Sequence, residues 1–328
     1  MVSIVFLLGL GALIASMLIL FPQSATKNHI DQSILDYFYN HRNSVLDLIF
    51  YVITMLGEAY AYILILLILY YVWDKKKAFK AMLIVFTSNI VNALVKYTFN
   101  IPRPDKTLWY EKLNETSPGF PSGHAQVNTT FWGSMVLLTK KQWVFYGGCV
   151  IAGLVSFSRI LLRVHWFTDV IGGIGIALII IAFFAYILEP LDFYIKKMSI
   201  YMKLALIVLL YVVYVVPTVF LIKDNEVMLD ELKFITLFTT VMLSYLVEGY
   251  WIDFSSKPRT WLTGIIRVVI GILLFVGTYL GLKYLFKLII DASSWIPGTE
   301  ITLDLIRYAI LGPVLILLGP WIMKKLNL

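Results

Sequence analysis

Apolar runs of 18 residues or more recur along this 328-residue chain, and few folds can accommodate them. A run of that length crosses a hydrocarbon core about 30 Å thick when it is helical. Lipid offers the backbone no hydrogen-bonding partners, so a membrane-spanning chain must form helices or a closed barrel. A barrel requires period-two alternation of apolar and polar residues, which is absent. The fold class expected is therefore all-α, a polytopic membrane helical bundle. Composition agrees, with 60% of residues hydrophobic and 14% charged. A soluble domain of this length needs far more polar surface.

The pattern predicts about ten transmembrane helices. The first six fall at 3–22, 48–73, 78–97, 122–139, 143–160 and 166–188. The last four fall at 204–222, 234–252, 261–282 and 303–323. The polar segment 189–203 divides them into a six-helix core over 1–190 and a four-helix extension over 191–328. Between the first two spans, residues 31–42 mix Ile34, Leu35, Tyr37 and Phe38 with polar side chains, as in a short helix lying in the membrane interface. The stretch 3–20 lacks a basic leader, so it reads as a retained first helix rather than a secretory signal. Cys149 is the single cysteine, which excludes an internal disulfide, and its apolar surroundings predict a small buried hydrophobe.

Lysine and arginine crowd the short loops 74–80, 140–142, 189–203, 253–260 and 324–328. By the positive-inside rule these loops face the cytoplasm, with both termini on that side of a plasma membrane. The net charge of +7 follows from those loops, so no nucleic-acid partner is implied. The partners expected are the lipid bilayer and a membrane lipid. Oligomeric state is not legible.

Three polar clusters interrupt the apolar background: Lys96 with Arg103-Pro104; Pro121-Ser122-Gly123-His124; and Ser158-Arg159 followed by His165 and Asp169. Lys96 ends the third predicted helix and Arg103 follows it. His124 opens the fourth, Arg159 closes the fifth and His165 opens the sixth. Ends of odd helices and starts of even ones share a membrane face, here the extracytoplasmic one. Charged groups in spans are costly and usually functional. Three cations, two histidines and a carboxylate make a site for an anion, with phosphate the obvious candidate. Arginine presents a planar fork to phosphate oxygens and lysine a point charge. Gly123 allows close backbone approach, and amides opening the helix donate to the same oxygens. His165 and Asp169, four residues apart, share a helical face. The carboxylate can then hold one ring nitrogen and leave the other free to attack phosphorus. His124 is placed to protonate the leaving oxygen.

Lys96-(six residues)-Arg103-Pro104, Pro121-Ser122-Gly123-His124 and Ser158-Arg159-(five residues)-His165-(three residues)-Asp169 resemble, at every fixed position and in order, the three signatures of the type 2 phosphatidic acid phosphatase superfamily. The resemblance covers roughly residues 1–190. It implies a six-helix core and a lipid phosphate or diphosphate phosphatase that works through a phosphohistidine, without a metal ion or other cofactor, and is sensitive to vanadate. Carried over, His165 is the nucleophile, Asp169 its orienting partner, and His124 the acid and then the base. Lys96, Arg103, Ser122, Gly123 and Arg159 bind the phosphoryl oxygens. The sequence departs from many relatives at Arg163, Trp166 and Phe167, around the nucleophile. Arg163 is read either as a contact for a second phosphate or as a cation facing lipid headgroups.

Two other functions use the same residues: a lipid phosphotransferase, and a transporter or scramblase with a non-catalytic anion site. The carboxylates are too few and scattered for a two-metal cluster. Trp109, Tyr110 and Phe120 are candidates either to grip a lipid chain or to anchor the interface. The last four helices resemble the extra spans of sphingosine-phosphate and glucose-6-phosphate phosphatases. In them Glu248 and Arg267 are expected to pair, and Arg307 to snorkel outward.

Overall fold

The computed structural model describes residues 2–20, 29–222, 225–292 and 299–328, which form helices and connecting loops and contain no strand. Thirteen α-helices follow in chain order: α1 Val2–Leu20, α2 His29–Asn40, α3 Ser44–Thr54, α4 Ala59–Val72, α5 Lys75–Phe99, α6 Gly123–Thr139, α7 Gln142–Leu161, α8 Phe167–Lys197, α9 Ile200–Leu221, α10 Asn225–Trp251, α11 Trp261–Ala292, α12 Thr299–Pro313 and α13 Gly319–Lys325. Each expected helix has a counterpart; residues 21–22 of the first lie outside the described residues. The second expected span is split into α3 and α4 by a 3-10 turn, Met55–Gly57. The last is split by a π-type stretch, Val314–Leu318, after Pro313.

Six described helical segments are long and apolar enough to cross a membrane, and a seventh is added if α3 and α4, bent by 49°, form one broken span. Helix α1 is apolar along its 19 residues, Val2–Leu20. Helix α6 has 17 residues and buries Gln126, Asn128, Thr130 and Ser134. Helix α10 carries Glu226, Asp230, Glu231 and Lys233 in its first half. The chain is a multi-pass membrane protein.

Two compact units emerge: Met1–Ile63 with Ala81–Lys196, and Leu64–Lys80 with Lys197–Leu328. In the first, Ile84 of α5 packs with Ile176, Ile180, Phe184 and Leu188 of α8, joined by Leu13 of α1. The α2 helix, at 31–42 in the sequence reading, sets Ile34 and Phe38 against Ala125, Ile160 and Val170. Its Asp31 accepts from the Thr168 amide at 3.0 Å and the Thr168 hydroxyl at 2.7 Å. A carboxylate from α2 therefore caps the first turn of α8, where unpaired amides welcome negative charge. A second polar seam joins α5 to α6: Asn92 donates to Gln126 at 2.9 Å, and Gln126 to the Ser88 carbonyl at 2.8 Å.

Cys149 is exposed on α7 rather than buried. A helix bathed in lipid has no need to hide an apolar side chain inside the protein.

In the second unit the expected pairing of Glu248 with Arg267 is not made. Lys75 reaches the fully buried Glu248 at 3.0 Å, and the Phe254 amide donates to the same carboxylate at 2.7 Å. Arg267 instead donates to the main-chain oxygens of Tyr71, Ser255 and Leu328 and lies 4.6 Å from the Phe254 ring centre. The last turn of α4, the turn after α10 and Leu328 each leave an oxygen that a guanidinium fork can collect, while the ammonium at the start of α5 reaches the carboxylate. Arg307 does not snorkel either. It is buried, 2.8 Å from Asp304 and 4.9 Å from the Tyr279 ring centre. An acidic and aromatic partner within reach makes outward extension unnecessary.

Candidate active site

The turn joining α7 to α8 builds the centre of the site. Arg163 adopts a left-handed backbone, φ 62°. The Arg159 carbonyl accepts from the amides of Val164 and His165 at 3.2 and 3.3 Å. This tight reversal delivers His165 directly onto the start of α8. Its Nδ1 lies 3.0 Å from Asp169 Oδ2, and the same oxygen accepts from the Trp166 amide at 3.0 Å. On the other side, Arg103 Nη1 donates to His165 Nε2 at 2.8 Å. A guanidinium has no lone pair to offer, so Nε2 is the unprotonated nitrogen and Nδ1 carries the proton to Asp169. Burial pushes the His165 imidazolium well below the ordinary histidine range, and the positive charges of Arg103, Arg159, Lys96 and His124 push in the same direction. The ring is neutral, with a lone pair aimed at a cationic wall.

Three cations make that wall. Lys96, at the end of α5, donates to the Pro118 carbonyl at 2.8 Å. Arg103 stands on the loop between α5 and α6, and Arg159 is fully buried near the end of α7. Arg159 donates to Thr54 Oγ1 at 3.0 Å and forms an ion pair with Glu115. Arg103 Nη2 reaches Glu115 at 3.3 Å. The Ser122 amide bonds the Asp169 carbonyl at 3.0 Å, which ties the start of α6 to α8. A Cβ on Gly173 would meet the Ser122 carbonyl at 2.8 Å, so only glycine permits that approach. Ser122 Oγ and Arg159 Nε are buried and have no hydrogen-bond partner among the described residues. Buried polar atoms in that state mark a place where a ligand's oxygens fit.

Residues 77–193 match the PAP2 superfamily, and 232–328 match the PAP2 superfamily phosphatase, transmembrane extension. The first match contains every residue of the three clusters. Residues 77–193 are a PAP2 superfamily domain. The chain is 36% identical over 88 residues to an undecaprenyl-diphosphatase of Sulfolobus acidocaldarius, which covers 26% of this chain and 42% of that protein. It is 33% identical over 109 residues to phosphatidylglycerophosphatase B of Bacillus subtilis, covering 30% and 52%. The chain thus spans about half the length of the curated relatives it matches. Two crystal structures are also similar. A transmembrane PAP2 type phosphatidylglycerolphosphate phosphatase from Bacillus subtilis has TM-score 0.44 and 24% identity, covering 61% of this chain and 98% of that one. Aquifex aeolicus LpxE has TM-score 0.40 and 25% identity, covering 47% and 93%.

In the PAP2 domain His124 opens α6 with Nε2 3.4 Å from Glu58 Oε1. A Cβ on Gly57 would meet the His124 ring at 2.6 Å, so the turn between α3 and α4 packs directly on the imidazole. Gly123 lies beside Asn92, whose Oδ1 would be 3.3 Å from a Cβ there. Glu58 and Glu115 escaped the sequence reading because each is a lone acid in a stretch without a motif.

Arg163 neither faces the pocket nor meets headgroups. Its guanidinium pairs with Asp47 of α3 at 2.8 Å and donates to the Leu108 carbonyl at 2.8 Å. The left-handed turn aims it away from His165 and toward α3. Phe120 is fully buried against Gly172, with no face left for a lipid chain. Trp109 donates to the Pro104 carbonyl at 3.0 Å with its ring centre 6.0 Å from the Arg103 guanidinium. Tyr110 stacks at a tilt on Tyr51, 5.6 Å between centres.

Proposed function

We propose that the chain is a membrane lipid phosphate or diphosphate phosphatase that forms a phosphohistidine at His165, independently of metal ions. Residues 1–190 form the catalytic core and 191–328 a membrane extension. The observation that carries this reading is the neutral His165 ring, held by Asp169 on one nitrogen and turned by the other toward Arg103. His165 Nε2 attacks phosphorus as the bond from phosphorus to the leaving oxygen breaks. His124 gives its proton to that oxygen, then takes one from the water that attacks the phosphohistidine. Inorganic phosphate leaves and His165 is restored. Lys96, Arg103, Arg159, the Ser122 hydroxyl and the Gly123 amide stabilise charge on the phosphoryl oxygens through preorganised donors.

The active site is assigned to the extracytoplasmic face and both termini to the cytoplasm of a plasma membrane, on the strength of the basic short loops. The names of the curated relatives make a polyprenyl diphosphate and phosphatidylglycerol phosphate the first substrates to try.

Purified protein in mixed micelles is to be offered those two lipids, phosphatidic acid and a sphingoid-base phosphate. Inorganic phosphate release is expected with at least one, and acid-labile label on His165 in a rapid denaturing quench. Undiminished release by His165→Ala would refute the assignment. Label passing to a second lipid instead of water would make the protein a phosphotransferase.

A further inference from the structure

Arg103 has no free donor. A guanidinium carries five N–H groups. Nε donates to the Ser117 carbonyl; Nη1 to the Val164 carbonyl and to His165 Nε2; Nη2 to Glu115 and to Ser117 Oγ. A phosphoryl oxygen can bind this fork only by displacing one of these partners. The Val164 carbonyl belongs to the buried turn between α7 and α8, and the Ser117 carbonyl is main chain. Glu115 binds through a side chain on the irregular loop between α5 and α6, and 24% of that side chain is exposed. Its two oxygens lie on separate arginines, Oε2 on Arg103 and Oε1 on Arg159. That is how a phosphoryl group would bridge the same two forks.

We propose that Glu115 is an exchangeable counter-ion of the phosphoryl pocket. Its carboxylate stands in for two phosphoryl oxygens when the pocket is empty and leaves when a phosphate-bearing ligand enters. The incoming group also takes the Arg103 N–H that now rests on His165 Nε2, so one exchange opens both the oxyanion wall and the nucleophile's lone pair. Glu115 thereby sets the affinity of the site for phosphate groups, because every ligand must outcompete it. An empty pocket lined by buried arginines would otherwise leave like charges facing one another without compensation. That phosphate is the occupant rests on the phosphatase reading; the exchange of one anion for another does not.

The test is equilibrium binding of orthovanadate and of inorganic phosphate to the detergent-solubilised full chain, measured by calorimetry. Glu115→Gln keeps an acceptor for the arginines and removes the competing charge. It is expected to bind both anions at least ~10-fold more tightly, since a hydrogen bond to a charged group is worth that much or more. Ser117→Ala removes a neutral partner of the same guanidinium and is expected to change affinity by less than about threefold. Unchanged or weaker binding by Glu115→Gln overturns the proposal, as does equal tightening by Ser117→Ala, which would indicate a merely loosened loop. Should Glu115→Gln not fold, hydrogen exchange decides on the wild-type chain. Residues 112–118 should exchange faster with saturating vanadate; unchanged or slower exchange overturns the idea. Tighter anion binding by Glu115→Gln, with no lipid phosphate hydrolysed by wild type, would retire the phosphatase reading and keep this one. Hydrolysis with unaltered affinity would do the reverse.

Discussion

Asp169 Oδ2 lies 3.0 Å from His165 Nδ1 one helical turn away, and the same oxygen takes the Trp166 amide. One carboxylate atom therefore fixes both the ring and the first turn of α8. The arrangement orients the imidazole and sets its tautomer, as an orienting carboxylate does in other histidine-based sites.

Asp169→Asn keeps the shape and can present an N–H to His165 in place of an acceptor. Turnover is expected to fall roughly 10³- to 10⁴-fold, the loss typical when an orienting carboxylate imposes the wrong tautomer. Comparing kcat and KM on the best lipid substrate checks this: kcat should carry the loss, and a defect confined to KM would contradict it.

Arg163 and Asp47 are a buried pair, and removing one partner strands the other. Asp47→Ala is expected to destabilise the protein by about 3–5 kcal/mol. Replacing both residues with apolar ones should recover much of that. Thermal unfolding in detergent reads the difference, and additive single effects would deny the coupling.

Burial alone would raise the Glu115 carboxyl, but the Arg159, Arg103 and His124 charges outweigh it and hold it at about 2, against an ordinary 4.5. Between those values the unfolded chain binds the proton and the folded chain does not. Glu115 therefore contributes stability above about pH 4.5 that is lost as pH falls toward 2. Melting temperatures from pH 6 down to 3 should fall more steeply for wild type than for Glu115→Gln.

Lysine and arginine supply the positive charge at this site, so turnover should persist in excess EDTA and orthovanadate should inhibit it. A loss on chelation that added magnesium or zinc restores would overturn the metal-independent mechanism.

In the second unit, Lys75 and Glu248 should couple in a double-mutant cycle of unfolding free energies, and Glu248 and Arg267 should not. Equal coupling in the two cycles would contradict the separate partners seen for each group.

The helices were legible because lipid removes the ambiguity that water leaves. A long apolar run in hydrocarbon must satisfy its own backbone, and at every expected helix the described chain is helical. The clustering of Lys96, Arg103, His124, Arg159 and His165 was legible for a related reason: each lies at or beside a helix end, and alternating helices bring such ends to one face. His165 and Asp169 lie within one turn, so their contact needs only local geometry.

Partners from distant, motif-free segments were not legible. Nothing around Glu115 marks it as the acid between two arginines, and nothing around Asp47 marks it as the anion for Arg163, 116 residues away. Lys75 rather than Arg267 meets Glu248, and Asp31 of α2 caps α8, because interior packing brings those atoms together. Hydropathy and spacing dictate which segments lie in lipid and which face a side chain occupies. The choice among several available counter-charges follows from tertiary distances of a few ångströms, over which a buried ion pair is either made or lost.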